Sequence, residues 1–197
     1  LGLHANDIMD ASTLAAPACL VRPGRPSDAG ALAAFAAETF VDTYGRYNEP
    51  ENLRRHLHAA FGPRQQAAEL SDPHVATLLA HVGPALAGYA QVRRGAAPCC
   101  VAGAAPVELH RFYVQRRWHG LGVARTLLAE ARAAAHAFGG RTLWLKVWER
   151  NARAIAFYAK QGLVDVGTAD FFLGAERQTD RVLALDLGPP PSEDLSP

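Results

Sequence analysis

The sequence predicts an α+β domain with a three-layer α/β arrangement, in which a mixed, mostly antiparallel sheet of about seven strands is flanked by helices. Three stretches predict it. Val107 to Val114 mixes β-branched and aromatic residues as a strand does. A tight turn with glycines at 120 and 122 follows, and Val123, Leu127, Leu128, Ala131, Ala134, Ala135 and Phe138 then recur at helical spacing. Thr142 to Trp148 is a second strand, leading through an Asn151 cap into a short helix that stops at Gly162. His74–His81 and Ala85–Arg93 form a hairpin around Val82-Gly83-Pro84.

The other elements fit around these. Ala18 to Arg22 is a first strand, and Ser27 or Asp28 caps a helix to about Thr43 with Leu32, Phe35, Ala36, Thr39 and Phe40 along one face. A second helix runs from about Glu49 to Phe61 with Leu53, Leu57 and Phe61 in register, and Pro63 to Leu70 adds a short turn. Arg94 to Pro106 is a Gly-, Ala- and Pro-rich loop, Gly139-Gly140 stops the long helix, and Leu163–Thr168 and Arg181–Leu187 supply the last strands. Residues 1–17 read as a poorly ordered leader, 18–187 as the single domain, and 188–197, with Pro189-Pro190-Pro191, as a disordered tail.

Composition narrows the function. A net charge of +1 over 197 residues, with no run of lysine and arginine, argues against a nucleic-acid footprint. No apolar run approaches the roughly 20 residues of a membrane-spanning helix. Cys19, Cys99 and Cys100 are odd in number and lack metal-ligand spacing, which fits reduced thiols in the cytoplasm. His4, His56, His58, His74, His81 and His136 have no metal-ligand pattern, so no metal is expected.

A strand that runs through Gly-x-Gly into a helix aims several backbone N–H groups at one point, where the helix dipole also attracts anions. That is a seat for phosphate or pyrophosphate. Two other readings exist. The glycines serve only the turn, or they belong to a dinucleotide fingerprint. The fingerprint needs a third glycine where Arg125 stands, and an acid about 20 residues on, where the chain reads Leu143-Trp144-Leu145.

His119-Gly-Leu-Gly-Val-Ala124, together with Asn151, Ala154 and Phe157-Tyr158 ahead of Gly162, resembles the GCN5-related N-acetyltransferase (GNAT) superfamily. The first motif matches that family's acyl-CoA pyrophosphate loop, with His119 where Arg or Gln is usual. The second matches its Asn-x-x-Ala-x-x-Phe-Tyr pattern. Thr39-Phe-Val-Asp-Thr-Tyr-Gly45, Leu-Trp-Leu-x-Val-Trp-Glu-x-Asn at 143–151 and Phe171-Phe-Leu-Gly-x-x-x-Gln-Thr-Asp180 look more closely like PaiA-type polyamine N-acetyltransferases.

The resemblance implies acetyl-CoA as cosubstrate. Its pantetheine arm would lie along Phe112, Tyr113 and Val114, and its pyrophosphate on His119, Gly120, Leu121, Gly122, Val123 and Ala124, with Arg125 and Thr126 close by. Asn151 would touch the arm, and Arg153 or Lys160 the 3′-phosphate. Tyr158, a phenol protonated at neutral pH, is the expected general acid for the leaving thiolate. Glu108 or His110, two apart on a strand, would take the amine proton, unless a water relay does. Phe40, Thr43, Tyr44 and Tyr47 are expected to line the acceptor wall, with Asp180 orienting a cationic acceptor. A polyamine is the leading acceptor, and Glu38, Asp42, Glu49, Glu108 and Asp180 would make its pocket acidic if they converge. A protein N-terminus or an aminoglycoside is a variant within this class, a non-catalytic acyl-CoA-binding regulator is the alternative, and a homodimer is implied.

Overall fold

The computed structural model describes residues 18–189, Ala175 aside. In chain order they form β1 (Cys19–Pro23), α1 (Ala29–Tyr44), α2 (Pro50–Phe61), α3 (Pro63–Ser71), β2 (Val75–Val82), β3 (Ala85–Arg94), β4 (Pro106–Val114), α4 (Val123–Ala137), β5 (Thr142–Trp148), α5 (Ala152–Lys160), β6 (Val164–Leu173) and β7 (Glu176–Asp186). The strands make one sheet in the order β1-β2-β3-β4-β5-β7-β6, antiparallel except where β4 meets β5. This is the mixed, mostly antiparallel sheet of seven strands that the sequence predicts. The leader at 1–17 and the tail from 190 onward lie outside the described residues.

Two helical layers cover the sheet because strand side chains alternate between its faces. On one face α4 buries Leu127, Leu128 and Ala131 against Val92, Leu109 and Leu143. On the other, Leu32, Phe35 and Phe40 of α1 and Phe61 of α2 meet Leu79, Tyr89 and Leu173. Each fully buried Leu or Phe contributes about 1.5–3 kcal/mol. A smaller third cluster forms where the 95–105 loop lays Val101 on Trp144, Val182 and Ala184.

Three local expectations change. Pro63–Ser71 is a full helix rather than a short turn, anchored by the buried Gln66, whose side-chain amide donates to the Ala60 carbonyl at 3.1 Å. Asp28 does not cap α1 with its side chain. Its carboxylate instead accepts two 2.8 Å hydrogen bonds from Arg22 and one from the Arg25 N–H. The last two strands are longer than expected and form a hairpin that turns at Gly174 (φ 62°), so Phe171 to Asp180 is strand on both sides of that turn. A Cβ at Gly174 would lie 2.4 Å from the Asn52 side-chain oxygen, so only glycine lets α2 lean on this hairpin.

The feature that opens the site lies in the middle of the sheet. β4 pairs with β5 only over Pro106–Thr142, Val107–Leu143 and Glu108–Trp144. Beyond Glu108 the two strands part. On its other edge, β4 stays paired with β3 as far as Val114, but the register steps from Val92–Leu109 to Gln91–Arg111 and leaves His110 as an extra residue. Such a β-bulge bends its strand and re-aims the side chains beyond it. Glu108 faces Arg93, Arg111 faces Gln91 and Tyr113 stacks on Tyr89, so all three share one face although 108 and 111 are an odd number apart. Phe112 turns to the opposite face and stacks on Phe157 of α5.

Candidate active site

Two cavities meet at the gap between β4 and β5. The first, about 420 Å³, runs from Leu109–Val114 of β4 along α5 to the start of α4. Of the residues expected to hold acetyl-CoA, Phe112, Tyr113, Val114, His119, Gly120, Ala124, Asn151, Arg153, Tyr158 and Lys160 line it. Leu121, Gly122, Val123, Arg125 and Thr126 do not. Val123 is buried in the core, Leu121 is exposed, and the Thr126 hydroxyl turns back to the Gly122 carbonyl.

The local backbone gives this cleft two features suited to a ligand with an amide-bearing arm and an anionic group. From Leu109 on, the β4 edge that faces β5 has no partner strand, so its N–H and C=O groups can pair with an amide-bearing arm as a strand would. Gly120 and Gly122 have φ of 79° and 88°, and a Cβ on either would meet nothing within 4 Å. α4 has no side-chain N-cap, which leaves its first-turn amides open toward an anion. His119 Nε2–H donates to the Val114 carbonyl at 2.9 Å, and Arg153 meets Nδ1 of the same ring. Burial first, then Arg153 and Arg116, keep this histidine below its ordinary pKa, against the opposing pull of the Val114 carbonyl. His119 is therefore neutral at pH 7, and Arg153 brings the positive charge that the histidine lacks.

Asn151 performs its expected local task, as its side-chain oxygen accepts from the Ala154 N–H at 3.2 Å and caps α5. Asn151→Ala is expected to lower stability by about 1 kcal/mol, or about 2–4 °C in a thermal melt of a chain this size. A melt unchanged within 1 °C would refute the capping role.

The second cavity, about 190 Å³, lies on the α1–α2 side of the gap. Phe40, Tyr44, Glu108, His110 and Asp180 all line it, and Tyr44 and His110 line the first cavity too. Thr43 faces the first cavity but not this one, and its hydroxyl donates to the Thr39 carbonyl at 2.9 Å. Tyr47 is 41% exposed and leans on Trp148 instead, with ring centroids 4.9 Å apart. Three of the five acids expected to converge do not reach the cavity. Glu38 accepts from Gln115, Glu49 precedes α2, and Asp42 lines a different concavity.

The titratable groups around this cavity differ sharply. Burial pushes the Glu108 carboxyl up, but the His110 ring and the Arg93 guanidinium, 3.6 and 2.6 Å away, overcome it and hold it at about 2. For His110, burial first and then Arg93 and Arg111 outweigh the pull of Glu108, so its pKa is lowered and the ring is neutral at pH 7. Asp180 is 8% exposed and has no hydrogen-bond partner among the described residues. Burial pushes its carboxyl up, Lys146 pulls it back and Glu149 adds to the rise, leaving it at about 6. Burial, and after it the Asp180 charge, raises Tyr44 to about 12 against the Asn151 and Tyr113 side chains. Burial and Tyr44 push Tyr158 well above its ordinary value, so its phenol keeps its proton throughout the neutral range.

Sequence reasoning missed Arg111, Lys146, Trp148 and His56, which also line the cavity. Plain alternation gives no sign of Arg111, because the bulge at His110 reverses the face it occupies. It is held there by Glu69 at 2.5 Å, by Gln91 and by the Ala60 carbonyl. Trp148 does carry a local signal, since it ends a buried strand just before the Asn151 cap.

An open strand edge and open helix amides in one cleft, joined through Tyr44 and His110 to a small aromatic cavity with one unpartnered carboxylate, make an arrangement suited to a phosphate-bearing acyl donor on one side and an acceptor on the other. Residues 34–163 match the acetyltransferase (GNAT) family. An uncharacterized N-acetyltransferase of Mycobacterium tuberculosis is 35% identical over 161 residues, 82% of this chain and 99% of the relative. Another, in the pepI 3′ region of Lactobacillus delbrueckii subsp. lactis, is 30% identical over 154 residues, 78% of this chain and 89% of the relative. The fold also matches the PaiA N-acetyltransferase of Thermoplasma acidophilum in complex with coenzyme A, with a TM-score of 0.67 at 19% identity over 86% of this chain and 99% of that one. The chain belongs to the GNAT family of acetyltransferases and is an N-acetyltransferase.

Proposed function

We infer that the protein transfers the acetyl group of acetyl-CoA to the primary amine of a small molecule, by direct attack within a ternary complex. The observation that carries this reading is the junction of the two cavities at the β4–β5 gap, with His110 and Tyr44 on both sides of it. Acetyl-CoA is the cosubstrate and supplies the thioester. Asp180, ionised above pH 6, attracts the incoming ammonium. Neutral His110 takes a proton from that ammonium and passes it to solvent, while Glu108, too weak a base itself, faces the Nδ1 side of the ring. The C–N bond then forms, the C–S bond breaks, and Tyr158 donates a proton to the departing thiolate. The remaining amine proton leaves with the tetrahedral state and restores the phenol.

Polyamine acetylation is the finer reading that the sequence motifs favour. The cavity supports the amine part of it through Asp180 but lacks the acidic wall, because Glu108 is already neutralised by Arg93, and Arg111 and Lys146 stand opposite. The reading extends to a cytoplasmic enzyme, supported by the free thiols of Cys19, Cys99 and Cys100, and to a homodimer, supported by the resemblance alone. Among the described residues no helix is long and apolar enough to cross a membrane, and no His/Cys/Asp/Glu cluster is arranged for a metal ion.

The test is release of free CoA thiol from acetyl-CoA across a panel of primary amines. Turnover is expected, with kcat/KM rising with pH through an acid limb that His110→Ala makes shallower, the rest of the limb belonging to Asp180. Saturable acetyl-CoA binding without thiol release on any amine would replace this reading with the acyl-CoA-binding regulator.

A further inference from the structure

A third concavity, about 510 Å³, opens beside the other two, between the end of α1, the 115–119 turn and the turn from β5 into α5. Four arginines line it: Arg46, Arg116, Arg150 and Arg153. Asp42 is the single acid facing them. Arg46, Arg116 and Arg150 form no salt bridge with any described residue, whereas arginines elsewhere on the surface such as Arg54, Arg55, Arg177 and Arg181 do. Four like charges gathered in one hollow repel one another, and burial and Arg116 together lower the Arg153 pKa. Such an arrangement is stable against solvent but becomes favourable when an anion enters.

Its position indicates which anion. Arg153 is shared with the cofactor cleft, but Arg46 and Arg150 line neither that cleft nor the acceptor cavity. They sit on aromatic rings that lead to the acceptor cavity. The Arg46 guanidinium lies 4.5 Å from the Tyr47 ring centre, Tyr47 packs on Trp148, and Arg150 lies 6.0 Å from the Trp148 ring. Trp148 is itself a wall of the acceptor cavity, and its partner across the β5–β7 ladder is Asp180. Trp148 thus joins the arginine-lined hollow to the cavity that holds the unpartnered, buried carboxylate.

We propose that the acceptor is an amine that carries its own anion, a phosphate or a carboxylate, with the anion seated on Arg46 and Arg150 and the ammonium at Asp180. The inference rests on the transferase reading above and deepens it. It also gives the basic mouth a purpose that a polycation, repelled by the same arginines, would not.

Four amines of similar length serve as probes: phosphoethanolamine, β-alanine, n-propylamine and putrescine. Thiol release should show kcat/KM at least tenfold higher for one or both anionic amines than for n-propylamine and putrescine, and the ratio of those two tells phosphate from carboxylate. Arg46→Glu/Arg150→Glu should erase that preference and raise putrescine relative to phosphoethanolamine, whereas Arg46→Lys/Arg150→Lys should retain it. Preference for putrescine by the wild type, an equal loss for all four amines, or a lowered acetyl-CoA affinity in the Glu variant would overturn the proposal; the last would assign the arginines to the cosubstrate. Calorimetry on CoA-saturated protein separates the two levels. Phosphoethanolamine or β-alanine binding that the Glu variant abolishes, with no amine acetylated, would uphold the anion seat and reject the transferase reading. Acetylation without charge preference would do the reverse.

Discussion

Tyr158→Phe is expected to lower kcat by about 10²- to 10³-fold, within the range that a positioned general acid supplies, and to change the acetyl-CoA KM by less than about threefold. The substitution keeps the ring, which packs between Phe112 and Phe157 with centroids 6.0 and 5.4 Å away. Packing is therefore largely retained, and the lost group is the proton donor. Because burial and Tyr44 hold the phenol far above neutrality, the wild type should show no alkaline loss of activity from Tyr158 below about pH 10. A further readout separates chemistry from fold. An acetyl thioester with a more acidic thiol needs less help to leave, so it should recover part of the lost rate in Tyr158→Phe. Equal rates for variant and wild type with acetyl-CoA would remove Tyr158 from the mechanism.

Asp180→Asn should weaken the acceptor and strengthen the protein. Removing a charge-assisted contact to an ammonium is worth about 1.5–3 kcal/mol, so the acceptor KM should rise by about 10- to 100-fold. The acid limb near pH 6 in wild-type kcat/KM should lose the contribution of this residue. Stability moves the other way. The carboxyl stands at about 6 in the folded protein against an ordinary 3.8, so the folded state holds its proton more tightly than the unfolded one. Above pH 6 the folded protein carries an ionised carboxylate that burial disfavours, a penalty of about 2–3 kcal/mol at one pH unit per 1.36 kcal/mol. The penalty shrinks as pH falls from 6 toward 3.8 and is absent below that. Asp180→Asn should therefore melt higher than wild type at pH 8, and the gain should fade by about pH 4. Chemical denaturation at both values checks it, and a variant less stable at pH 8 would contradict the account.

Much of the fold was legible because its signals are local. The Gly120–Gly122 turn, the Asn151 cap and the apolar stripe of α4 each depend on residues a few positions apart, and each is where the sequence places it. The β6–β7 hairpin was harder to read. Its edge strand, Val164 to Leu173, faces solvent with Asp165, Thr168 and Asp170 and gives little of the contrast that marks a strand with one buried face. The cleft along β4 and α5, lined by most of the residues proposed to hold the cosubstrate, was legible for the same local reason as the turn. The acceptor cavity was only half legible, because Glu108, His110 and Tyr44 belong to motifs while Arg111 and Lys146 depend on tertiary placement. Its electrostatics were not legible at all. Whether Glu108 or His110 is the better base depends on Arg93, which lies across the β3–β4 ladder and 15 positions away in the chain.

The single extra residue at His110 also sets a length constraint on β4. Deleting it would join Leu109 directly to Arg111 and close the ladder on Val92 and Gln91 without a bulge, so Arg111 and Tyr113 would keep their face and their partners. The strand would instead lose its bend at the gap and the ring that lines both cavities. His110→Ala removes only the ring. The site is therefore encoded by a residue count as well as by residue identity, and a deletion at this position should be less tolerated than substitution of His110 itself.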